Sequence, residues 1–103
     1  MKTAARIFQA LADPTRRQIL QELKEGELAA GDIASRFTIS GPAISRHLSI
    51  LETAELVAAR RDANRILYSL QPETLANTLG DYLSAVCPTQ IALRHRAQKG
   101  KKR

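Results

Sequence analysis

The residues of this chain that could do chemistry are hydrogen-bonding groups, and they fall in two neighbouring clusters. The first is Ser40-Gly41-Pro42 followed by Ser45, Arg46 and His47; the second is Arg60, Arg61, Asn64 and Arg65. A hydroxyl such as that of Ser45 can donate or accept at a base edge, and a guanidinium such as that of Arg46 can fork onto guanine or hold a phosphate. Small residues at the start of a helix let its backbone approach a groove closely, and a helix N-terminus favours a phosphate oxygen. Several basic and amide groups on one projecting ribbon can straddle a phosphate backbone. His47 has two roles open to it, a phosphate contact or a partly buried structural group. Ser45 and Arg46 alone would pass for ordinary exposed polar residues; the basic hairpin beside them argues for nucleic-acid recognition.

Nothing comparable supports catalysis or a cofactor. The chain has no Gly-rich phosphate loop, no Ser–His–Asp ordering and no carboxylate pair in an apolar setting. Its two histidines lie in different segments, His95 in a basic C-terminal stretch. The single cysteine, Cys87, can form neither an internal disulfide nor a thiolate cage, and reads as a small buried hydrophobe near a helix end.

The elements that must position the two clusters follow from apolar spacing. Ile7, Phe8 and Leu11 predict a short helix over 4–11. Asp13-Pro14 starts a second, with Asp as N-cap and Pro in the first turn, and Gly26 provides a left-handed stop. A third, poorly capped helix is predicted over 30–37, burying Ile33, Ala34 and Phe37. Ser40 caps a fourth over 41–53, with Ile44, Leu48 and Leu51 inward and Ser45 and Arg46 outward. Two strands, 57–61 and 65–70, flank Asp62-Ala63-Asn64. A last helix from Pro72 carries Leu75, Leu79, Tyr82, Leu83 and Val86 on one stripe and ends before Pro88. The fold class is therefore mainly α with a two-stranded antiparallel wing, in the order α-α-α-α-β-β-α.

Charge is uneven along the chain. The formal net charge is +6, from 16 basic and 10 acidic groups among 103 residues. Six of the basic groups, Arg94, Arg96, Lys99, Lys101, Lys102 and Arg103, lie in residues 94–103, which hold no acid. Residues 1–93 are thus formally neutral, so DNA binding by the body must rest on the arrangement of its charges. We expect residues 1–93 to form the DNA-binding and dimerisation domain and 94–103 to be a disordered basic tail. No apolar run approaches the roughly 18 residues of a membrane span, and the basic N-terminus lacks the apolar stretch of a secretory signal. A cytoplasmic protein, on the nucleoid when bound to DNA, is the expectation.

Five blocks occur in order: Asp13 to Leu20, Gly31 to Ala34, Ile44 to Leu51, Ala54 to Val57, and Ile66 to Leu70. In content and spacing they resemble the ArsR/SmtB family of bacterial winged helix-turn-helix repressors, over about residues 5–86. The resemblance implies a homodimer joined through the first and last helices, which places Ile7, Phe8, Leu75, Leu79, Tyr82, Leu83 and Val86 at the interface. It also implies that the fourth helix enters the major groove of an inverted-repeat operator. Gly41, Pro42, Ser45 and Arg46 would read the DNA, with the wing adding Arg61, Asn64 and Arg65. Metal-sensing members carry cysteines in the block that here runs Glu27 to Asp32, where this chain has Ala29 and Gly31; others use His and Asp on the last helix, which here has Asp81 and no His. The chain looks most similar to the metal-independent, SdpR-like branch, whose members resemble autorepressors controlled by a partner protein or by their own level. At the wing tip, where the family has Gly, this chain has Ala63. Asn64 tolerates positive φ better than Ala, so the turn is expected to shift by one residue. A sequence-tolerant architectural DNA binder driven by the basic tail is the alternative function.

Overall fold

A computed structural model describes residues 2–88 of the chain. The order is α1 (Lys2–Leu11), α2 (Pro14–Glu22), a 3₁₀ turn (Leu23–Glu25), β1 (Leu28–Ala29), α3 (Ala30–Ala34), α4 (Gly41–Thr53), β2 (Val57–Asp62), β3 (Arg65–Leu70) and α5 (Pro72–Val86). This is the mainly helical winged arrangement expected. The tail 94–103 lies outside the described residues.

The helices start and stop for identifiable reasons. Asp13 takes extended backbone angles and its carboxylate accepts from the Arg16 amide at 3.1 Å, with Pro14 filling a position that needs no donor. The preceding end of α1 is closed from the same block. Arg16 donates to the Ala10 and Gln9 carbonyls at 2.8 and 3.1 Å, and Arg17 donates to the Leu11 carbonyl at 2.6 Å. Helix ends leave such carbonyls without internal partners, so the Asp13–Arg17 segment ends one helix and begins the next. Helix α4 ends on Ala54, with Glu55 at φ 62°. The Glu55 amide donates to the Glu52 carbonyl and the Leu56 amide to the Leu51 carbonyl, a Schellman closure built on a residue other than glycine.

Three elements differ from the expected ones. The sheet has three strands in the order β1-β3-β2, because Leu28 and Ala29 pair antiparallel with Tyr68 and Leu67. Two residues are too few to show a period-two pattern, and only the free edge of β3 makes them a strand. Helix α3 stops at Ala34 instead of Phe37. The Arg36 and Phe37 amides reach back three residues, to the Ile33 and Ala34 carbonyls, and the Ser35 hydroxyl donates to the Asp32 carbonyl. At the wing tip Ala63 itself takes φ 59°, so the turn does not shift to Asn64. Positive φ at the first of the two loop residues alone is the φ pattern of a type II′ turn. Gly26 also departs: its φ of 145° is positive, but its ψ of 178° is extended, and it follows the 3₁₀ turn.

The core lies where α1, α2, α3 and α4 meet the inner face of the sheet. Ile7, Ile19, Ile33, Ile44, Leu51 and Leu56 are sealed from solvent or nearly so. Each such side chain contributes about 1.5–3 kcal/mol relative to exposure. Ile7 is a correction: with 0% exposure it belongs to the interior of the protomer and presents no surface to a partner. Cys87 is half-buried, not buried, and its amide donates to the Leu83 carbonyl at the end of α5. Helix α5 contains no buried residue, and Tyr82 and Val86 are 53% and 60% exposed. The Phe8 and Tyr82 rings meet edge to face at 5.2 Å, which ties α5 to α1. Among the described residues no helix is long and apolar enough to cross a membrane.

Candidate nucleic-acid interface

Helix α4 is held from below by Ile44, Leu48 and Leu51, so the helical period turns Ser45 and Arg46 outward, and both are exposed. Its first turn is set by Ser40, whose hydroxyl accepts from the Ala43 amide at 3.3 Å. The Ser40 hydroxyl accepts at the cap and keeps its O–H as a donor, and Ser40, Gly41 and Pro42 all lie exposed at the helix start. A Cβ added at Gly41 would meet nothing within 4 Å, so nothing inside the protomer requires glycine there. Its smallness is available to an approaching groove wall.

His47 lies on the flank of α4, not on its outward face. Its side chain is 19% exposed, its Nδ1 stands 3.2 Å from an Arg16 guanidinium nitrogen, and Asp13 is 3.9 Å from the same atom. Burial pushes the Asp13 carboxyl up. The Arg16 and Thr15 amides and the Arg16 charge, joined by that of His47 when its ring is protonated, more than reverse this, and leave it below its ordinary value.

The wing does not gather its four polar groups on one surface. In the ladder Arg60 stands opposite Leu67 and Arg61 opposite Ile66, so the two arginines point to opposite faces of the ribbon. Arg60 donates twice to Glu27, at 2.8 and 2.9 Å. These bonds hold the Glu27 carboxyl below its ordinary range and raise the guanidinium's own pKa. Arg65 pairs with Asp62 at 3.2 Å. Arg46 and Arg61 form no hydrogen bond or ion pair with any described residue. The structure therefore separates the sequence-predicted cations into two that stand free toward solvent, Arg46 and Arg61, and two held by carboxylates, Arg60 and Arg65. Asn64 sits at the exposed tip beside Ala63.

Sequence reasoning missed Arg16, Glu27 and Glu55. The acid–base pairing of Glu27 with Arg60 spans 33 positions and leaves no local signal. Arg16 sits in the Asp13–Arg17 block that marks the start of α2, but only the fold shows that its guanidinium reaches α4. Among the described residues, no three His, Cys, Asp or Glu side chains come together in a group that could hold a metal ion.

Residues 13–59 match the pattern described as "Bacterial regulatory protein, arsR family". The chain is 45% identical over 80 residues to the transcriptional repressor SdpR of Bacillus subtilis (strain 168), a match covering 78% of this chain and 89% of SdpR. It is 48% identical over 71 residues to the HTH-type transcriptional regulator Rv2034 of Mycobacterium tuberculosis, covering 69% of this chain and 66% of Rv2034. Among solved structures it is similar to the homodimeric winged helix-turn-helix DNA-binding domain of Mb0332 from Mycobacterium bovis (fragment 1–100). The TM-score there is 0.69 at 30% identity, over 82% of this chain and 79% of that one.

Proposed function

This chain belongs to the arsR family of bacterial regulatory proteins, and we propose that it acts as a sequence-specific transcriptional repressor, a homodimer on an inverted-repeat operator. The observation that carries this reading is α4 itself: a helix capped by Ser40, buried through Ile44, Leu48 and Leu51, and offering Ser45 and Arg46 outward beside a wing. In this reading Gly41, Pro42, Ser45 and Arg46 face the major groove. Arg61 and Asn64 track the adjacent backbone, and Arg60 and Arg65 join them only by exchanging a carboxylate for a phosphate. Specific recognition of this kind divides its work between base edges and phosphate positioning.

The dimer interface is the apolar surface of α1 and α5 made of Phe8, Leu75, Leu79, Tyr82, Leu83 and Val86; Leu75 and Leu79 are half-buried, Leu75 against the core, and the other four are exposed. A helix whose apolar stripe is left largely open by its own chain calls for a partner. The similarity to a homodimeric DNA-binding domain supports a second copy as that partner. Residues 1–93 are the proposed functional domain, acting in the cytoplasm, with 94–103 adding sequence-independent phosphate contacts. Ala29 and Gly31 offer only a methyl group and a hydrogen where metal-sensing relatives need ligands. We therefore assign repression without a metal, under control of protein level or a protein partner.

Selection of bound duplexes from a random pool at physiological salt tests the reading. An enriched inverted repeat with half-sites about one helical turn apart is the expected result. Binding without enrichment would replace it with a tail-driven architectural protein, and deletion of residues 94–103 would then abolish most of the affinity.

A further inference from the structure

The contact between α2 and α4 has a chemical direction. An arginine guanidinium has five N–H donors and no acceptor, so the Arg16–His47 bond exists only while Nδ1 keeps its lone pair. That places the imidazole proton on Nε2. No side-chain N or O among the described residues is both buried and without a partner. His47 is not an exposed residue and its Nε2 bonds to no described group. Nε2 therefore keeps some contact with solvent. It lies on α4 directly after Arg46, on the flank of the helix nearest the α1–α2 junction.

Arg16 is itself held rigidly. Its Nε and a terminal nitrogen donate to the Ala10 and Gln9 carbonyls, and its backbone amide is bonded to Asp13. The guanidinium that orients the imidazole is thus anchored at the closed end of α1, and not free to follow the ring.

We infer that Arg16 is a positioning residue for DNA binding: it fixes His47 as the Nε2–H tautomer and aims that N–H at a backbone phosphate beside the recognition helix. The inference rests on the DNA-binding reading above and deepens it. A neutral donor held in one orientation adds a phosphate contact without adding charge. It strengthens binding to every sequence alike, and it releases no counterion.

The test uses the full-length protein. A long-range ¹⁵N–¹H spectrum at pH 8, with the two histidines distinguished by the His47→Asn variant, reads the tautomer directly. Wild type is expected to show protonated Nε2, and Arg16→Met a growing share of protonated Nδ1, which can then turn to Asp13. Duplex binding separates the two ends of the ring. In His47→Asn the amide oxygen keeps an acceptor for Arg16, but no donor reaches outward. Operator and random duplexes should both bind about five- to tenfold more weakly, with an unchanged salt slope. His47→Gln, whose amide nitrogen reaches about as far as Nε2, should recover most of the loss.

Equal binding by wild type and His47→Asn, or no recovery in His47→Gln, would overturn the inference while leaving the repressor reading intact. Protonated Nδ1 in wild type would overturn it as well. A wild type that binds no duplex would overturn both readings. Protonated Nε2 left unchanged in a folded Arg16→Met would overturn the role of Arg16. That variant also opens the end of α1; if it fails to fold, the wild-type tautomer still tests the orientation of the ring, and the asparagine and glutamine pair still tests its outward donor.

Discussion

Arg60 and Glu27 face each other across the whole width of the sheet. Arg60 lies on β2, Glu27 just before β1, and β3 runs between them with Leu67 directly between Arg60 and Ala29 in the ladder. The paired hydrogen bonds of 2.8 and 2.9 Å therefore fasten the base of the wing to the body on the sheet face that Leu67 shares. A guanidinium engaged in this two-pronged way is well placed in geometry, but it is not free for a phosphate.

Glu27→Gln removes the charge that occupies Arg60. DNA affinity is expected to rise on operator and random duplexes alike. The slope of log affinity against log salt should steepen by about 0.9 for each Arg60 that finds a phosphate. Fluorescence anisotropy across a salt series checks this; an unchanged slope would mean Arg60 stays clear of the DNA.

Acid should loosen the structure at three carboxylates. Asp13, Glu27 and Glu22, the last bonded by Arg36 at 2.7 Å, all have folded-state pKa values below their ordinary ones. Groups shifted in this direction stabilise the native state above the unfolded-state pKa, and that contribution is lost as pH falls through the lower folded value. The contribution of these carboxylates should be flat down to about pH 5 and decline below about pH 4. Asp13→Asn should be less stable at neutral pH and show a shallower acid decline in urea titrations.

Ala63 and Glu55 hold left-handed backbone angles, φ 59° and 62°, that favour glycine. Glycine at either position should raise stability by about 0.5–1 kcal/mol, the strain removed being partly offset by added freedom in the unfolded chain. Ala63→Gly should leave operator specificity intact, since residue 63 turns the chain and offers no hydrogen-bonding side chain. Chemical denaturation of the two single variants and the double variant measures both terms. The sites lie at different turns, so their effects should add.

Leu83 is 40% exposed in the protomer. Leu83→Asp should leave the helical content unchanged while weakening the dimer and the operator complex at least about tenfold, ~1.4 kcal/mol. Sedimentation and anisotropy measured together test the interface. A dimer that persists would move it away from α5.

Much of this molecule was legible in its residues, for local reasons. The caps at Asp13 and Ser40, the prolines in the first turns and the stripe Ile44, Leu48, Leu51 each act within one or two helical turns, so the bounds of α4 could be read directly. The outward direction of Ser45 and Arg46 follows from the same period. Ile7 and Phe8 show the limit. Adjacent apolar residues on one short helix look alike as interface candidates, yet packing seals Ile7 in the core and sets Phe8 against Tyr82.

What the sequence by itself determined was the order of the helices and of the two wing strands, the bounds of the helix that turns Ser45 and Arg46 outward, and the family, because those depend on spacing along the chain. The tertiary structure alone decided which charges are free. Arg60 and Arg61 are neighbours with the same side chain, and only strand pairing turns one to Glu27 and leaves the other unpaired among the described residues. Likewise only the packing of α2 against α4 brings Arg16 to His47 and selects which nitrogen of the ring can donate outward. Such pairings depend on distances in space between residues far apart in the chain, and no local pattern encodes them.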